Sequence, residues 1–132
     1  MTQEIIRTWT LEGVLRQMTS VNIIPFRTIW NSLFNATLPV QLPTLIYNIV
    51  AFIPLGFLVP LISKRTQQFA IVLIIAFIIS TSFELIQVFT RLGEGDIDDV
   101  ILNVTGAIIG YGVFALVIWW KLYFFRFRER LH

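Results

Sequence analysis

The sequence predicts an all-α integral membrane protein: a bundle of three spanning helices with an interfacial or re-entrant N-terminal region. Hydrophobic residues make up 56% of the 132 residues, charged residues make up 14%, and the mean hydropathy is +0.77. A chain of this size has too little polar surface to cover a water-soluble globule. Three long apolar stretches therefore predict helices that cross a bilayer, for which about 20 residues each are needed.

Each predicted span is identified by its length and by its lack of charge. Residues 69–89 carry one charge, Glu84, and residues 100–120 carry none. Residues 45–62 form the first span, which contains Pro54 and Gly56. Proline removes a backbone donor from a helix interior, so we expect a bend or break near Pro54 that opens a groove there.

The N-terminal third is expected to lie at the membrane surface. Residues 1–20 form a divergent or interfacial segment with an imperfect apolar stripe. Residues 21–42 contain prolines and polar side chains, which favours entry into the outer leaflet without crossing; the alternative is that a further spanning helix is missing ahead of them. The predicted organisation is thus 1–20, a transmembrane domain over 21–120, and a basic tail over 121–132.

The distribution of charge predicts the orientation. Lys64 and Arg65 follow the first span, and the tail over 121–132 contains one lysine and three arginines. Because cytoplasmic loops are enriched in cations, both segments are expected inside and the acidic connector before residue 100 outside. These cations explain the net charge of +2, so nucleic-acid binding is not indicated. The absence of cysteine excludes disulfides and thiolate ligands.

Polar side chains gather where the second and third spans meet, and they form the candidate binding site. An ionisable residue such as Glu84 costs roughly 2.5–3.5 kcal/mol in a membrane helix on insertion scales, so it needs a partner, a wet cavity or a proton. Helical spacing places Gln87 and Arg91 on the face of Glu84, and Asn103 on the face of Asp99. We therefore expect Asn103 to face Glu84 and Gln87. The candidate binding residues are Glu84, Gln87, Arg91, Asp96, Asp99, Asn103 and Asn48.

Small residues predict close helix packing. Gly106 and Gly110 form a GxxxG pattern, which lets a neighbouring backbone approach closely, and homo-oligomerisation through this pair is a further expectation. Pro54 and Gly56 are assigned to packing as well. The acidic residues Asp96, Asp98 and Asp99 have two interpretations: Asp98 or Asp99 caps the helix that begins near residue 100, or the group binds a hard cation. Capping is favoured, and no metal or other cofactor is assigned.

These residues together resemble the VanZ-like family of small bacterial membrane proteins. The resemblance covers about residues 22–116, through the blocks NIIPF at 22–26, NIVAFIPLGF at 48–57, FELIQ at 83–87 and RLGEGDIDDVILNVTGAIIG at 91–110. It implies residence in the bacterial cytoplasmic membrane and an envelope-related role, since the family is named for a protein that raises resistance to teicoplanin. Family members typically carry a hydrophobic helix ahead of the NIIPF block, which residues 1–20 do not match.

The favoured function is non-catalytic binding of an amphiphile, either a membrane lipid or a lipoglycopeptide, at the outer leaflet. One alternative is a membrane enzyme that acts on a lipid-linked phosphate or glycan, with Glu84 as general acid or base. The sequence supplies no nucleophile pattern for such an enzyme. The other alternative is an assembly or permeation subunit whose polar residues pair with partner helices.

Overall fold

The computed structural model describes residues 21–34, 41–90 and 95–129. They form a short helix, α1 (Arg27–Phe34), and three long helices, α2 (Gln41–Ile62), α3 (Phe69–Thr90) and α4 (Ile97–Glu129). A single turn of 3₁₀-helix, Arg65–Gln67, joins α2 to α3. The long helices are each long and apolar enough to span a membrane, over Leu42–Ile62, Phe69–Thr90 and Ile97–Phe124. The predicted all-α class with three spans is therefore confirmed. The expected interfacial segment over residues 1–20 lies outside the described residues.

The α2 helix is continuous through both of its prolines. The expected break at Pro54 is wrong, because residues 41–62 are helical throughout. The Pro54 side chain is exposed, so its ring lies on the outside of the bundle. The groove expected beside Gly56 is also absent, because the backbone of Ala107 on α4 lies directly against Gly56.

The α2 and α4 helices run parallel and touch backbone to backbone. A Cβ atom added to a glycine at this contact would overlap a carbonyl oxygen of the facing helix. The contacts of Gly106 with Ile49 and of Gly110 with Ile53 follow one register along both helices, and the rings of Phe57 and Phe114 continue it at 6.5 Å between centroids. The glycine contacts are Gly106 with Ile49, Gly110 with Ile53, and Gly56 with Ala107. The glycine pair expected to support self-association is thus covered by α2 of the same chain.

The α3 helix completes the bundle through side chains. Ala76 of α3 packs with Phe52 and Ala107 in the buried core. At the start of α3, the Tyr111 hydroxyl of α4 donates a hydrogen bond of 2.8 Å to the Gln67 carbonyl, and the rings of Phe69 and Tyr111 lie 5.1 Å apart. These contacts set α3 antiparallel to α4, so the start of α4 lies beside the end of α3.

The α4 helix is longer than its two neighbours. It has 33 residues against 22 in α2 and 22 in α3, which corresponds to a length of about 50 Å against about 33 Å. No glycine or proline follows Gly112, so nothing in the sequence stops the helix before the end of the described chain. Aromatic residues one turn apart contact each other along it, Trp119 with Tyr123 at 5.8 Å and Trp120 with Phe124 at 5.3 Å.

Candidate functional site

The site is built around a backbone pairing between two distant segments. Asn22 and Asp96 form a parallel β-bridge, in which the Asn22 N–H donates to the Gly95 carbonyl at 2.9 Å and the Ile97 N–H donates to the Asn22 carbonyl at 3.0 Å. The bridge ties the segment ahead of α1 to the first residue of α4. It therefore brings α1 over the acidic end of the three-helix bundle.

Asp96 holds this junction together with its side chain. Its Oδ1 accepts hydrogen bonds from the Asn22 amide and from the Asp98 N–H, both at 2.9 Å. Its Oδ2 accepts a hydrogen bond of 2.5 Å from the Thr28 hydroxyl. Because α4 begins at Ile97, Asp96 is the N-cap of this helix. The expectation that Asp98 or Asp99 caps the helix is wrong, since the helix begins three residues before Val100.

Asp98 is fully buried and caps a different helix, α1. Its carboxylate accepts N–H hydrogen bonds from Phe26 at 2.5 Å, Thr28 at 2.7 Å and Ile29 at 3.1 Å. These are donors at the start of α1 that have no partner within the helix, and the positive end of the helix dipole favours a carboxylate there. Phe26 has a φ of 65°, a left-handed conformation that turns the chain into α1 at this point.

Glu84 has a partner from the same junction. Its Oε2 accepts a hydrogen bond of 2.9 Å from the Asp96 N–H, and the residue is half-buried. Arg91, the partner expected from helical spacing, lies outside the described residues. Gln87 is exposed on α3. The start of α4 thus supplies Glu84 with a hydrogen-bond partner, which offsets part of the free-energy cost of an ionisable side chain in a membrane helix.

The two asparagines of the predicted cluster join α4 to different helices. The Asn48 amide donates a hydrogen bond of 2.5 Å to Asp99, which joins α2 to α4. The buried Asn103 amide donates a hydrogen bond of 2.9 Å to the Ser80 hydroxyl of α3. The expectation that Asn103 faces Glu84 and Gln87 is therefore wrong. Asn103 does face α3, but its partner Ser80 lies one turn before Glu84 along that helix.

Two cavities lie on either side of the Asn22–Asp96 bridge. The first, of about 400 Å³, is bounded by α1 and by the starts of α2 and α4. The second, of about 240 Å³, lies against α3 and is mainly apolar. Asn22, Gly95 and Asp96 line both cavities. We call the first the polar cavity; its wall also contains Arg27, Thr28, Asn31, Ser32, Thr44, Leu45 and Asp99. We call the second the apolar cavity; its wall also contains Val21, Phe77, Thr81, Glu84, Leu85, Val88, Ile97 and Val100.

The four described carboxylates at this end of the bundle differ in what they are free to bind. Asp96 and Asp98 are occupied by hydrogen bonds from the chain itself, and Glu84 receives one from a backbone amide. Asp99 lines the polar cavity, and within the described part of the chain its one hydrogen-bond donor is Asn48. Arg27 lines the same cavity. The polar cavity therefore presents a carboxylate and a guanidinium to an incoming molecule.

The family model described as VanZ/LLP1 matches residues 1–125. This chain belongs to the VanZ/LLP1 family. Protein VanZ of Enterococcus faecium is 32% identical over 100 residues, which cover 74% of this chain and 53% of the relative. The chain thus spans about half the length of that curated relative. No solved structure matches it.

Four residues on which this site depends are absent from the predicted binding residues, and Asp98 is predicted only as a helix cap or a cation ligand. Asn22, Thr28 and Asp98 form the junction between α1 and α4, and Ser80 is the partner of Asn103. The signal for Asn22 was present in the NIIPF block, whose conformation depends on the DIDD block 74 residues away. A serine within an apolar span was the signal for Ser80, because a buried hydroxyl needs a partner.

Proposed function

We propose that this protein binds the polar headgroup of a membrane amphiphile in the polar cavity, without catalysing a reaction on it. The observation that carries the proposal is the pairing of a headgroup-sized polar cavity with an apolar cavity across one backbone bridge. An amphiphile has the same division, since its headgroup needs polar partners and its chain needs an apolar surface. A membrane lipid and a lipoglycopeptide both meet this description.

The charges in the polar cavity favour a headgroup that carries both signs. Asp99 would accept hydrogen bonds from an amine, while Arg27 would bind a phosphate or carboxylate through its planar guanidinium. Asn48 holds Asp99 in place from α2, so the carboxylate is oriented before a ligand arrives. Phosphatidylethanolamine is therefore the lipid probe of choice, because its headgroup joins one amine to one phosphate.

The proposed setting is the outer leaflet of the bacterial cytoplasmic membrane, in a role connected with the cell envelope and with resistance to glycopeptides. The distribution of cations supports this orientation. Lys64 and Arg65 follow α2 at one end of the bundle, and Lys121 and Arg126 lie in the C-terminal part of the parallel helix α4, toward the same end. The positive-inside rule places that end in the cytoplasm and the two cavities on the outer side.

The test is direct binding to the protein in nanodiscs, with fluorescent phosphatidylethanolamine, phosphatidylglycerol and teicoplanin as probes. Asp99→Asn keeps the acceptor for Asn48 and removes the charge. We expect it to weaken binding of the amine-bearing probe about tenfold, the lower end of the value of a charged hydrogen bond, because Asp99 is half-exposed. Phosphatidylglycerol, which lacks an amine, should be unaffected by this change.

Thr90→Ala is the matched control, because Thr90 is an exposed polar residue at the same end of the bundle and lines neither cavity. Arg27→Gln provides the second arm and should weaken binding of both phospholipids. Equal binding of every probe by wild type, Asp99→Asn and Arg27→Gln would refute the proposed site. A teicoplanin susceptibility assay in cells expressing the same variants would then test the proposed link to resistance.

A further inference from the structure

The α1 helix has its polar and apolar sides in an unusual arrangement. Its inward side is polar: Thr28, Asn31 and Ser32 line the polar cavity. Its outward side is apolar, and the rings of Trp30 and Phe34 lie 4.3 Å apart on it. The outward residues are between 56% and 62% exposed, and they are Phe26, Trp30, Leu33 and Phe34. A surface helix of a water-soluble protein shows the opposite arrangement, with its apolar stripe against the core.

We infer that α1 lies within the acyl-chain layer of the membrane, with its apolar side toward lipid and its polar side over the cavity. This inference goes beyond the proposed function, because it holds whether or not the cavity binds a headgroup. With eight residues, α1 is about 12 Å long and too short to cross. A short helix in this position would separate the polar cavity from the hydrocarbon beside it.

The hydrogen bonding of α1 supports its placement in lipid. A helix end in hydrocarbon needs partners for its free N–H groups, since water is not there to supply them. Asp98 supplies those partners through three hydrogen bonds at the start of α1. Ser32 likewise turns its hydroxyl back to the Thr28 carbonyl at 2.7 Å, on the inward side of the helix. These N–H groups and the Ser32 hydroxyl are thus satisfied from the protein side.

Exposed apolar residues also lie just ahead of α1 in the chain and on the spans. Ile23 and Ile24, just ahead of the helix, are 74% and 55% exposed. Exposed apolar residues cover the neighbouring outer faces of the spans as well, and Tyr47 and Val50 on α2 are 70% and 52% exposed. Those faces contact lipid in a membrane-spanning bundle. The outward side of α1 therefore exposes the same kind of surface as the spans, and acyl chains are the partner that it fits.

The absence of cysteine from the chain makes a labelling test simple. A nitroxide is attached to single cysteines at Trp30, Leu33 and Phe34 on the outward side, and at Arg27 and Asn31 on the inward side. Collision with oxygen, which concentrates in lipid, is compared with collision with a water-soluble nickel chelate. We expect the nitroxide to collide more often with oxygen than with the nickel chelate at the three outward positions. At Arg27 and Asn31 we expect this difference to disappear.

Two reference positions calibrate the scale. Ile78, 57% exposed on α3, reports a lipid-facing site, and Lys64, exposed in the connector, reports a water-facing site. Outward positions that resemble Lys64 would overturn the inference and place α1 above the membrane. Outward positions closed to both reagents would also overturn it, because a protein surface would then cover α1.

A second measurement avoids any label on α1. A variant keeps Trp30 and has phenylalanine in place of the other three tryptophans. The fluorescence of Trp30 is recorded in bilayers whose lipids carry bromine on their acyl chains. We expect strong quenching by brominated chains and little quenching by aqueous iodide. Quenching by iodide alone would contradict the lipid contact independently of the labelling result.

Discussion

Two glycines of α4 allow one substitution to be compared in opposite environments. At Gly106 an added Cβ would overlap the Ile49 carbonyl oxygen of α2, whereas at Gly112 no atom lies within 4 Å of the added Cβ. Both glycines lie in the interior of the same helix, so the change in helix propensity is the same. The pair Gly106→Ala and Gly112→Ala therefore isolates the effect of the helix contact.

The expected magnitude follows from two opposing contributions. Replacing glycine by alanine inside a helix favours folding by about 0.5–1 kcal/mol, which is the expected effect at Gly112. Overpacking costs about 1–3 kcal/mol, and at Gly106 we take the upper end because the obstructing atom belongs to the backbone and has no alternative rotamer. Gly106→Ala should therefore lose about 2 kcal/mol overall, and the two variants should differ by about 3 kcal/mol.

The assay is unfolding by dodecyl sulfate in mixed micelles, followed by energy transfer between dyes on two introduced cysteines. Ile62 and Leu116 are suitable positions, because they are 76% and 67% exposed and lie on the two helices of interest. Separation of α2 from α4 then lowers the energy transfer. Equal stability of Gly106→Ala and Gly112→Ala would refute the close contact, and Gly110→Ala, expected to resemble Gly106→Ala, checks it at the next turn.

Two further predictions concern the junction of α1 with the bundle. Asp98→Ala removes the acceptor of three N–H groups and should cost about 3–5 kcal/mol, with loss of hydrogen-exchange protection at Phe26, Thr28 and Ile29; retained protection would contradict the role of Asp98. Glu84→Gln keeps an acceptor for the Asp96 N–H and should change stability by less than about 1 kcal/mol, whereas Glu84→Ala should cost about 1–3 kcal/mol in the same unfolding assay. Equal losses in both Glu84 variants would show that the charge, rather than the hydrogen bond, stabilises the junction.

The spans were predictable because the membrane limits the possibilities so strongly. A bilayer admits only long apolar segments that satisfy their own backbone, and the predicted spans over 45–62, 69–89 and 100–120 all lie within observed helices. The starting point of α4 was less predictable. Its first turn contains Asp98 and Asp99. Hydrophobicity alone assigns these two residues to the loop, but Asp96 caps a helix that includes them.

The partners within the candidate site were harder to predict than its location. Asp96 and Asp99 do lie where the polar cavity forms, but helical spacing does not reveal which neighbour each side of α4 faces. Asp99 and Asn103 are one turn apart on the same stripe, and they bond to α2 and α3 respectively. A stripe that lies in the groove between two helices touches both. The pairing of Asn22 with Asp96 depends on a contact across 74 residues, for which one sequence carries no local signal.

The backbone contact between α2 and α4 also bears on how the protein is made. These helices are not neighbours along the chain, because α3 separates them. During synthesis α2 is made before α4. Asn48 and the face of Gly56 that later contacts α4 are therefore first surrounded by lipid or by the insertion machinery. Chains stopped ahead of Ile97 would leave that amide without Asp99 and the Gly56 backbone without its α4 contact.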